Sequence, residues 1–245
     1  MIELVERALY GAWETVVRDH HAVVIAADED QITEKLKTVM VAMRKRNEPP
    51  GFSDALFGVP SRDSRLADWS GKSIDQSPDL TIYAANSRRD VSDDQYDALF
   101  MECKVLDATR GLNLYNTRGM RRFIDGSYAW RMPHALMIAY VLDDDERTPF
   151  ASLTAYFAEV PRNAVGSTKN SATKKSIGSL LATRGNPTVV MSSMGPLAAD
   201  VVLTAHERSA PLSGSVPNVI ELRHLWMRAL RCRHGRDIDI AALTE

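Results

Sequence analysis

Residues 99–106 form an apolar segment that carries two charged side chains, Glu102 and Lys104, in its middle. The length and composition of the segment favour a short β-strand, and side chains two positions apart on a strand share one face. Glu102 and Lys104 therefore lie on the same face of the strand. The apolar side chains of Met101, Cys103 and Val105 lie on the other face. Because a charge inside a buried strand must be paired or bound to something, the fold has to supply partners for both.

A second short strand is predicted over residues 79–83, with Asp79 at its start and Pro78 directly before it. A polar, turn-rich connection joins this strand to the first one. If the two strands lie side by side, the carboxylates of Asp79 and Glu102 can share a divalent cation, because hard divalent cations prefer oxygen ligands. Lys104 would lie beside that cation.

The motif formed by Pro78-Asp79 and Glu102-Cys103-Lys104 resembles the PD-(D/E)xK, or restriction-endonuclease-like, nuclease superfamily. The resemblance implies an α/β fold, with a restriction-endonuclease-like mixed β-sheet core flanked by helices. It also implies hydrolysis of phosphodiester bonds with Mg²⁺ or Mn²⁺ as the cofactor. On this resemblance the catalytic residues are Asp79, Glu102 and Lys104, and Lys104 orients the attacking water and offsets charge in the transition state.

Asp79 and Glu102 are the first two candidate metal ligands, and the backbone carbonyl of Cys103 on the same strand is a third. In the resembled family, a helix before the sheet often contributes a further carboxylate. Glu29 and Glu34 are the candidates here, and Glu29 is the one that we include in the site. An acid at the start of a helix is also favoured by the helix dipole alone, so a purely structural role stays open for both.

The remaining hydrophobic pattern predicts the elements around the two strands. We expect one nuclease-like domain over residues 1–245, with a core of about 25–145 and a C-terminal extension of about 146–245 that adds strands and a helix. Helices are predicted over residues 3–18, 28–46 and 148–160, with an interrupted helix over 113–124. Strands are predicted over 134–142, 188–192, 201–207 and 219–225, a brief strand or buried linker over 23–27, and a basic helix or frayed end from Trp226 onward.

The formal net charge of −2 gives the chain no global basic signature, so any surface for nucleic acid must be local. Arginines alternate with aromatic residues over 113–131, and such a surface can contact phosphates and stack on bases. A core helix with solvated arginines is the alternative. Residues 160–199 contain no acid and are either a second contact or an ordinary surface loop. The candidate nucleic-acid contacts are Arg118, Arg121, Arg122, Lys174 and Lys175.

Composition excludes several other classes of protein. A hydrophobic content of 44% and a charged content of 25% are those of a soluble globular protein. Two cysteines, of which Cys103 is predicted to be buried, are too few for a disulfide framework or a Cys₄ zinc site, which fits a reducing, cytoplasmic location. The chain has no apolar run of about 18 residues that could span a membrane, and no Gly-x-Ser-x-Gly or His-Glu-x-x-His motif.

These observations lead to three alternative functions. The first is a metal-dependent endonuclease that cuts nucleic acid, with DNA as the expected substrate, in restriction or anti-phage defence. The second is a catalytically silent nuclease-fold protein that binds nucleic acid or a partner protein. The third is an unrelated α/β protein in which the motif is accidental. Proteins of the resembled kind often act as homodimers or as subunits of a defence complex, and no membrane partner is expected.

Overall fold

The computed structural model describes residues 1–62, 64–74, 76–86, 94–143, 147–164, 189–191, 201–208 and 217–229. These residues form a mixed α/β fold. The helices are α1 (Ile2–Asp19), α2 (His21–Ala26), α3 (Glu29–Arg46), α4 (Leu112–Tyr115), α5 (Arg121–Ile124) and α6 (Pro149–Ala164). The strands are β1 (Leu80–Tyr83), β2 (Ala98–Leu106), β3 (His134–Val141), β4 (Val189–Met191), β5 (Val201–Glu207) and β6 (Val219–Arg228).

The strands form one sheet in the order β1-β2-β3-β6-β5-β4. The central strands β2, β3 and β6 run parallel, while β1, β5 and β4 are each antiparallel to the neighbour on their inner side. Parallel neighbours need a crossover, and the one between β2 and β3 contains α4, a π-helical turn over Asn116–Met120, and α5. The predicted central strand, apolar and covered on both faces, is confirmed in β3.

Two apolar layers cover the sheet, one on each face. The first contains the buried side of α1 and α3, with Trp13 stacked on Tyr140 of β3 at a ring-centroid distance of 5.3 Å. The indole of Trp13 also donates to the backbone carbonyl of Arg228, 3.3 Å away, so α1 contacts the last described strand. The second layer contains α4, α5 and α6, with Phe123 and Trp226 among its buried side chains. The prediction of a mixed sheet flanked by helices is therefore confirmed.

Helix α3 begins where its sequence predicts. The side chain of Asp28 accepts a hydrogen bond from the backbone N–H of Gln31, which caps the helix. Its apolar stripe, which includes Ile32 and Leu36, is buried against the sheet. The helix ends at Arg46, and the following residue, Asn47, adopts a left-handed conformation with φ of 57°. This placement puts the first turn of α3 next to the carboxyl-terminal half of β2.

Two of the predicted elements differ from the structure where it describes them. Residues 23–27, expected to form a brief strand or buried linker, belong mostly to helix α2, where Ile25 is exposed and only Val24 is buried. Their β-branched side chains favour a strand, but no strand pairs with them in the described structure. The segment from Trp226 onward, expected to be a basic helix or frayed end, begins as a strand: residues 226–228 complete β6, and residues 221–228 of β6 pair with the full length of β3. Residues 230–245 lie outside the described residues.

The interrupted helix over 113–124 is confirmed, and the interruption is the π-helical turn that contains Gly119. A Cβ atom at Gly119 would lie 2.5 Å from Cε of Met137 and 3.5 Å from Cγ of Glu102. Glycine therefore allows the turn to approach the sheet directly over Glu102. Within the described ranges, none of the helices has both the length and the apolar character needed to cross a membrane.

Candidate functional site

The site lies where β1 and β2 stop pairing. Strand β1 pairs only with the first part of β2, so residues 102–106 have no strand partner on that edge in the described structure. Two carboxylates take the place of the missing strand. The backbone N–H of Cys103 donates to Oδ2 of Asp79 at 2.8 Å, and that of Val105 donates to Oε2 of Glu29 at 3.0 Å. The unpaired backbone N–H groups of β2 therefore hold the carboxylates of Asp79 and Glu29 next to Lys104.

The ammonium group of Lys104 is surrounded by oxygen atoms. Its Nζ lies 2.8 Å from Oε1 of Glu29, 3.2 Å from Oδ2 of Asp79 and 3.0 Å from Oε1 of Glu102. It also donates to the backbone carbonyl of Cys103 at 2.5 Å. Burial alone would lower the pKa of Lys104, but the three carboxylates, Glu102 most of all, raise it above its ordinary value. Lys104 is therefore fully charged at neutral pH.

Glu102 is completely buried and makes three contacts through its carboxylate. Its Oε1 lies 3.0 Å from Nζ of Lys104 and accepts a hydrogen bond from Nη1 of Arg122 at 3.1 Å. Its Oε2 accepts a hydrogen bond from the hydroxyl of Tyr128. Burial, and then the nearby charge of Asp79, raise the pKa of Glu102 to about 7, although Lys104 and Arg122 oppose this. Near neutral pH, the neutral form of Glu102 is therefore populated beside the charged form.

This raised pKa makes stability depend on pH. The folded state holds the Glu102 proton more tightly than the unfolded chain, so the stabilisation is complete below a pH of about 4.5 and is lost as the pH rises through about 7. Relative to Glu102→Gln, the free energy of unfolding of the metal-free wild type should fall by about 3 kcal/mol over that interval. Denaturant unfolding in a chelating buffer at several pH values measures it. A difference between the two proteins that is constant with pH would contradict the raised pKa.

The structure distinguishes the two glutamates proposed from α3. Glu29, in the first turn, reaches both Lys104 and the backbone of β2. Glu34 instead pairs with Lys37 at 2.7 Å and lies 3.8 Å from Arg62, away from Lys104. Glu29 therefore joins Asp79 at the site and Glu34 does not.

Tyr128 was considered in the sequence only as one of the aromatic residues between arginines. In the structure it is fully buried, and its hydroxyl holds one oxygen of Glu102. Arg122 was proposed as a nucleic-acid contact, and its side chain is 44% exposed. Its guanidinium group also contacts the other carboxylate oxygen of Glu102. Because a buried charge must be paired, the sequence indicated that Glu102 needs partners. It did not indicate that Tyr128 and Arg122 would supply them.

Two of the other proposed nucleic-acid contacts, Arg118 and Arg121, lie in the same crossover. Arg118 is exposed on the π-helical turn. Arg121 is partly buried, and its Nη2 lies 3.2 Å from Oδ2 of Asp125. Lys174 and Lys175 lie outside the described residues. Among the proposed arginines, Arg118 and Arg122 are therefore the exposed ones, and Arg122 also contacts Glu102.

A second polar cluster lies under the other half of the sheet. The hydroxyl of Thr204 contacts Nε2 of His206 and Nε2 of His224, each at 2.7 Å, and Nδ1 of His224 lies 2.9 Å from the hydroxyl of Tyr115. Burial lowers the pKa of His224 to about 3 and that of His206 to about 4. Arg208 donates to backbone carbonyls of the segment before β3. His206 and Arg208 are both buried, so neither side chain is presented to solvent.

The donor atoms at Lys104 suit a hard divalent cation. Three carboxylates and the carbonyl of Cys103 supply only oxygen, which is what Mg²⁺ and Mn²⁺ prefer. As they stand, no three acidic, histidine or cysteine side chains in the described ranges are arranged to hold a metal ion. The ammonium group of Lys104 lies at the point where the oxygens meet. The donor set therefore fits the metal, provided that the ammonium moves.

The comparisons with known proteins identify no relative. No protein-family model matches the chain, and no curated protein or solved structure matches it significantly. The functional interpretation therefore depends on the residues and distances of the site itself.

Proposed function

We propose that the protein is a metal-dependent nuclease of the restriction-endonuclease-like class that hydrolyses phosphodiester bonds. The observation that carries this proposal is the convergence of Glu29, Asp79 and Glu102 on one point at the open edge of β2, with Lys104 among them. Glu29 and Asp79 come from distant segments and reach the same ammonium group, which supports a functional cluster over an accidental Glu-x-Lys pair. The mixed sheet flanked by helices is compatible with this class.

Each residue has a role in the proposed reaction. Asp79 and Glu102, with the carbonyl of Cys103 and the carboxylate of Glu29, would hold Mg²⁺ or Mn²⁺. When bound, the cation supplies charge neutralisation at the phosphate and lowers the pKa of water. Lys104 orients the attacking water and offsets the negative charge that develops in the transition state.

Two further residues support this arrangement. Tyr128 fixes the carboxylate of Glu102 through one oxygen, so that the other faces Lys104. Arg122 lies at the exposed side of Glu102 and can pair with a phosphate oxygen of the substrate.

The proposed substrate is nucleic acid, with DNA as the expected kind and restriction or anti-phage defence as the expected setting. The exposed side chain of Arg122 at the site, and that of Arg118 on the same crossover, support a phosphate-bearing substrate, although the net charge of the chain is −2. The alternative is a protein that binds nucleic acid or a partner without cutting. The complete set of Asp79, Glu102 and Lys104 favours cleavage, because a silent site does not need all three.

The test of this proposal is cleavage by the purified protein. Supercoiled plasmid, single-stranded DNA and RNA should be incubated side by side with Mg²⁺, with Mn²⁺ and with a chelator. We expect cleavage of at least one substrate with a divalent cation and none with the chelator. Binding to nucleic acid without cleavage under every condition would favour the silent alternative.

Removal of the Arg118 charge should weaken binding without changing sequence preference. Because each phosphate contact releases a condensed counterion, Arg118→Gln should reduce the slope of log K against log salt by about one. Fluorescence anisotropy with labelled duplexes at several salt concentrations measures the slope. Arg46→Gln, at the opposite end of α3 from Glu29, is the matched control and should leave the slope unchanged. An unchanged slope in Arg118→Gln would remove this residue from the proposed surface.

A further inference from the structure

The ammonium group of Lys104 has more oxygen neighbours than it can satisfy. Four oxygen atoms, from Glu29, Asp79, Glu102 and the carbonyl of Cys103, lie within 3.2 Å of its Nζ. A lysine ammonium group donates only three hydrogen bonds. An ion that accepts six or more oxygen ligands, some of them water, matches such a cage better.

The charges at the site also favour a divalent ion. Three carboxylates, those of Glu29, Asp79 and Glu102, face two cations, Lys104 and Arg122, so the cluster carries one excess negative charge when all five are ionised. If a divalent cation replaced the ammonium group of Lys104 at the centre, the three carboxylates would be balanced by the ion and Arg122. An exchange of one cation for the other therefore leaves the cluster with no net charge.

We propose that the ammonium group of Lys104 holds the position of the divalent cation in the metal-free protein and leaves it when the cation binds. This inference rests on the proposed function, in which the same oxygens hold a metal ion. The exchange has two consequences. The three carboxylates are never left without a cation, and Lys104 becomes available to the substrate only after the metal is in place.

Two variants separate this exchange from a general effect of charge. Lys104→Met and Arg122→Met each remove one positive group about 3 Å from the same oxygen of Glu102. Only Lys104 also contacts Glu29, Asp79 and the carbonyl of Cys103. Calorimetric titration with Ca²⁺, which takes the same oxygen ligands, should show that Lys104→Met binds the ion at least about tenfold more tightly than wild type.

Arg122→Met should change the Ca²⁺ affinity by no more than about threefold. Equal gains of affinity in Lys104→Met and Arg122→Met would overturn the exchange and leave only an effect of net charge. Absence of Ca²⁺ and Mn²⁺ binding in both the wild type and Lys104→Met would instead overturn the proposed function itself. The two failures are therefore distinguishable.

A measurement on the unmodified protein decides the matter if Lys104→Met does not fold. In the metal-free protein the Lys104 side chain is only 12% exposed and is held by four oxygens, so its acylation by a succinimidyl ester should be slow. Saturation with Ca²⁺ should speed acylation of Lys104 by about tenfold, as read by mass spectrometry, because release from the cage exposes the amine. Lys45, which is exposed on α3, is the internal reference. Unchanged protection of Lys104 in Ca²⁺-saturated protein would overturn the exchange.

Discussion

Lys104→Ala is expected to reduce the rate of cleavage by about 100-fold or more, while the protein still binds nucleic acid. The side chain provides the only ammonium group in contact with Glu29, Asp79 and Glu102 within the described structure. Its loss removes the cation that would offset charge on the phosphate in the transition state. Because the metal no longer competes with an ammonium group, cation binding should tighten even as catalysis fails. Loss of a lysine with a purely structural role would not tighten cation binding while it abolished cleavage.

Single-turnover cleavage at saturating Mg²⁺ is the measurement for this variant. Without the ammonium group, the carboxylates of Glu29, Asp79 and Glu102 repel one another, and a saturating concentration of Mg²⁺ compensates for this repulsion. Lys45→Ala removes an exposed lysine from α3 and is the matched control. A rate for Lys104→Ala within a few-fold of wild type would exclude Lys104 from catalysis, and unfolding of the variant even with Mg²⁺ would indicate that its role is structural.

Glu102→Gln is expected to abolish cleavage, with a loss of at least about 1,000-fold, and to weaken divalent-cation binding by 10-fold or more. Glutamine is neutral and nearly isosteric, and burial already favours the neutral form of this side chain, as its pKa of about 7 indicates. The variant should therefore fold, at least as stably as wild type above neutral pH. Loss of function then reports the missing ligand charge and not a damaged core.

Glu34→Gln is the matched control for this substitution, since Glu34 pairs with Lys37 and lies outside the cluster. Cleavage and Ca²⁺ titration should be measured on both variants under the same conditions. Wild-type cation affinity in Glu102→Gln would show that the ion binds elsewhere. Equal losses in Glu34→Gln and Glu102→Gln would point to a general effect of acidic charge.

The two strands of the site, β1 and β2, could be predicted because the sequence patterns that indicate them involve only neighbouring residues. The alternation of side chains along a strand sets Glu102 and Lys104 on one face, and the need to pair a buried charge calls for partners such as Asp79. The choice between Glu29 and Glu34 was also within reach. Glu29 precedes the buried Ile32 by three positions and so shares its face of α3, whereas Glu34 follows Ile32 by two positions and does not.

Other features depend on long-range packing that no local pattern contains. Tyr128 meets Glu102 only because the crossover between β2 and β3 folds back over the sheet. The strand that continues through Trp226 extends because β6 pairs with the full length of β3, a partner far away in the sequence. Lys104 was expected beside a shared cation, and the structure has its ammonium group between the carboxylates, since its stem is long enough to reach the open edge of β2.

The central claim is that Asp79, Glu102 and the carbonyl of Cys103 hold a divalent cation at the open edge of β2. Anomalous diffraction from crystals grown with Mn²⁺ tests it most directly. The account predicts a manganese peak about 2.1–2.4 Å from oxygens of all three residues, with Nζ of Lys104 displaced from its present position. A map with no peak there, and with Lys104 still bound to Glu29, Asp79 and Glu102 in Mn²⁺-saturated crystals, would contradict it.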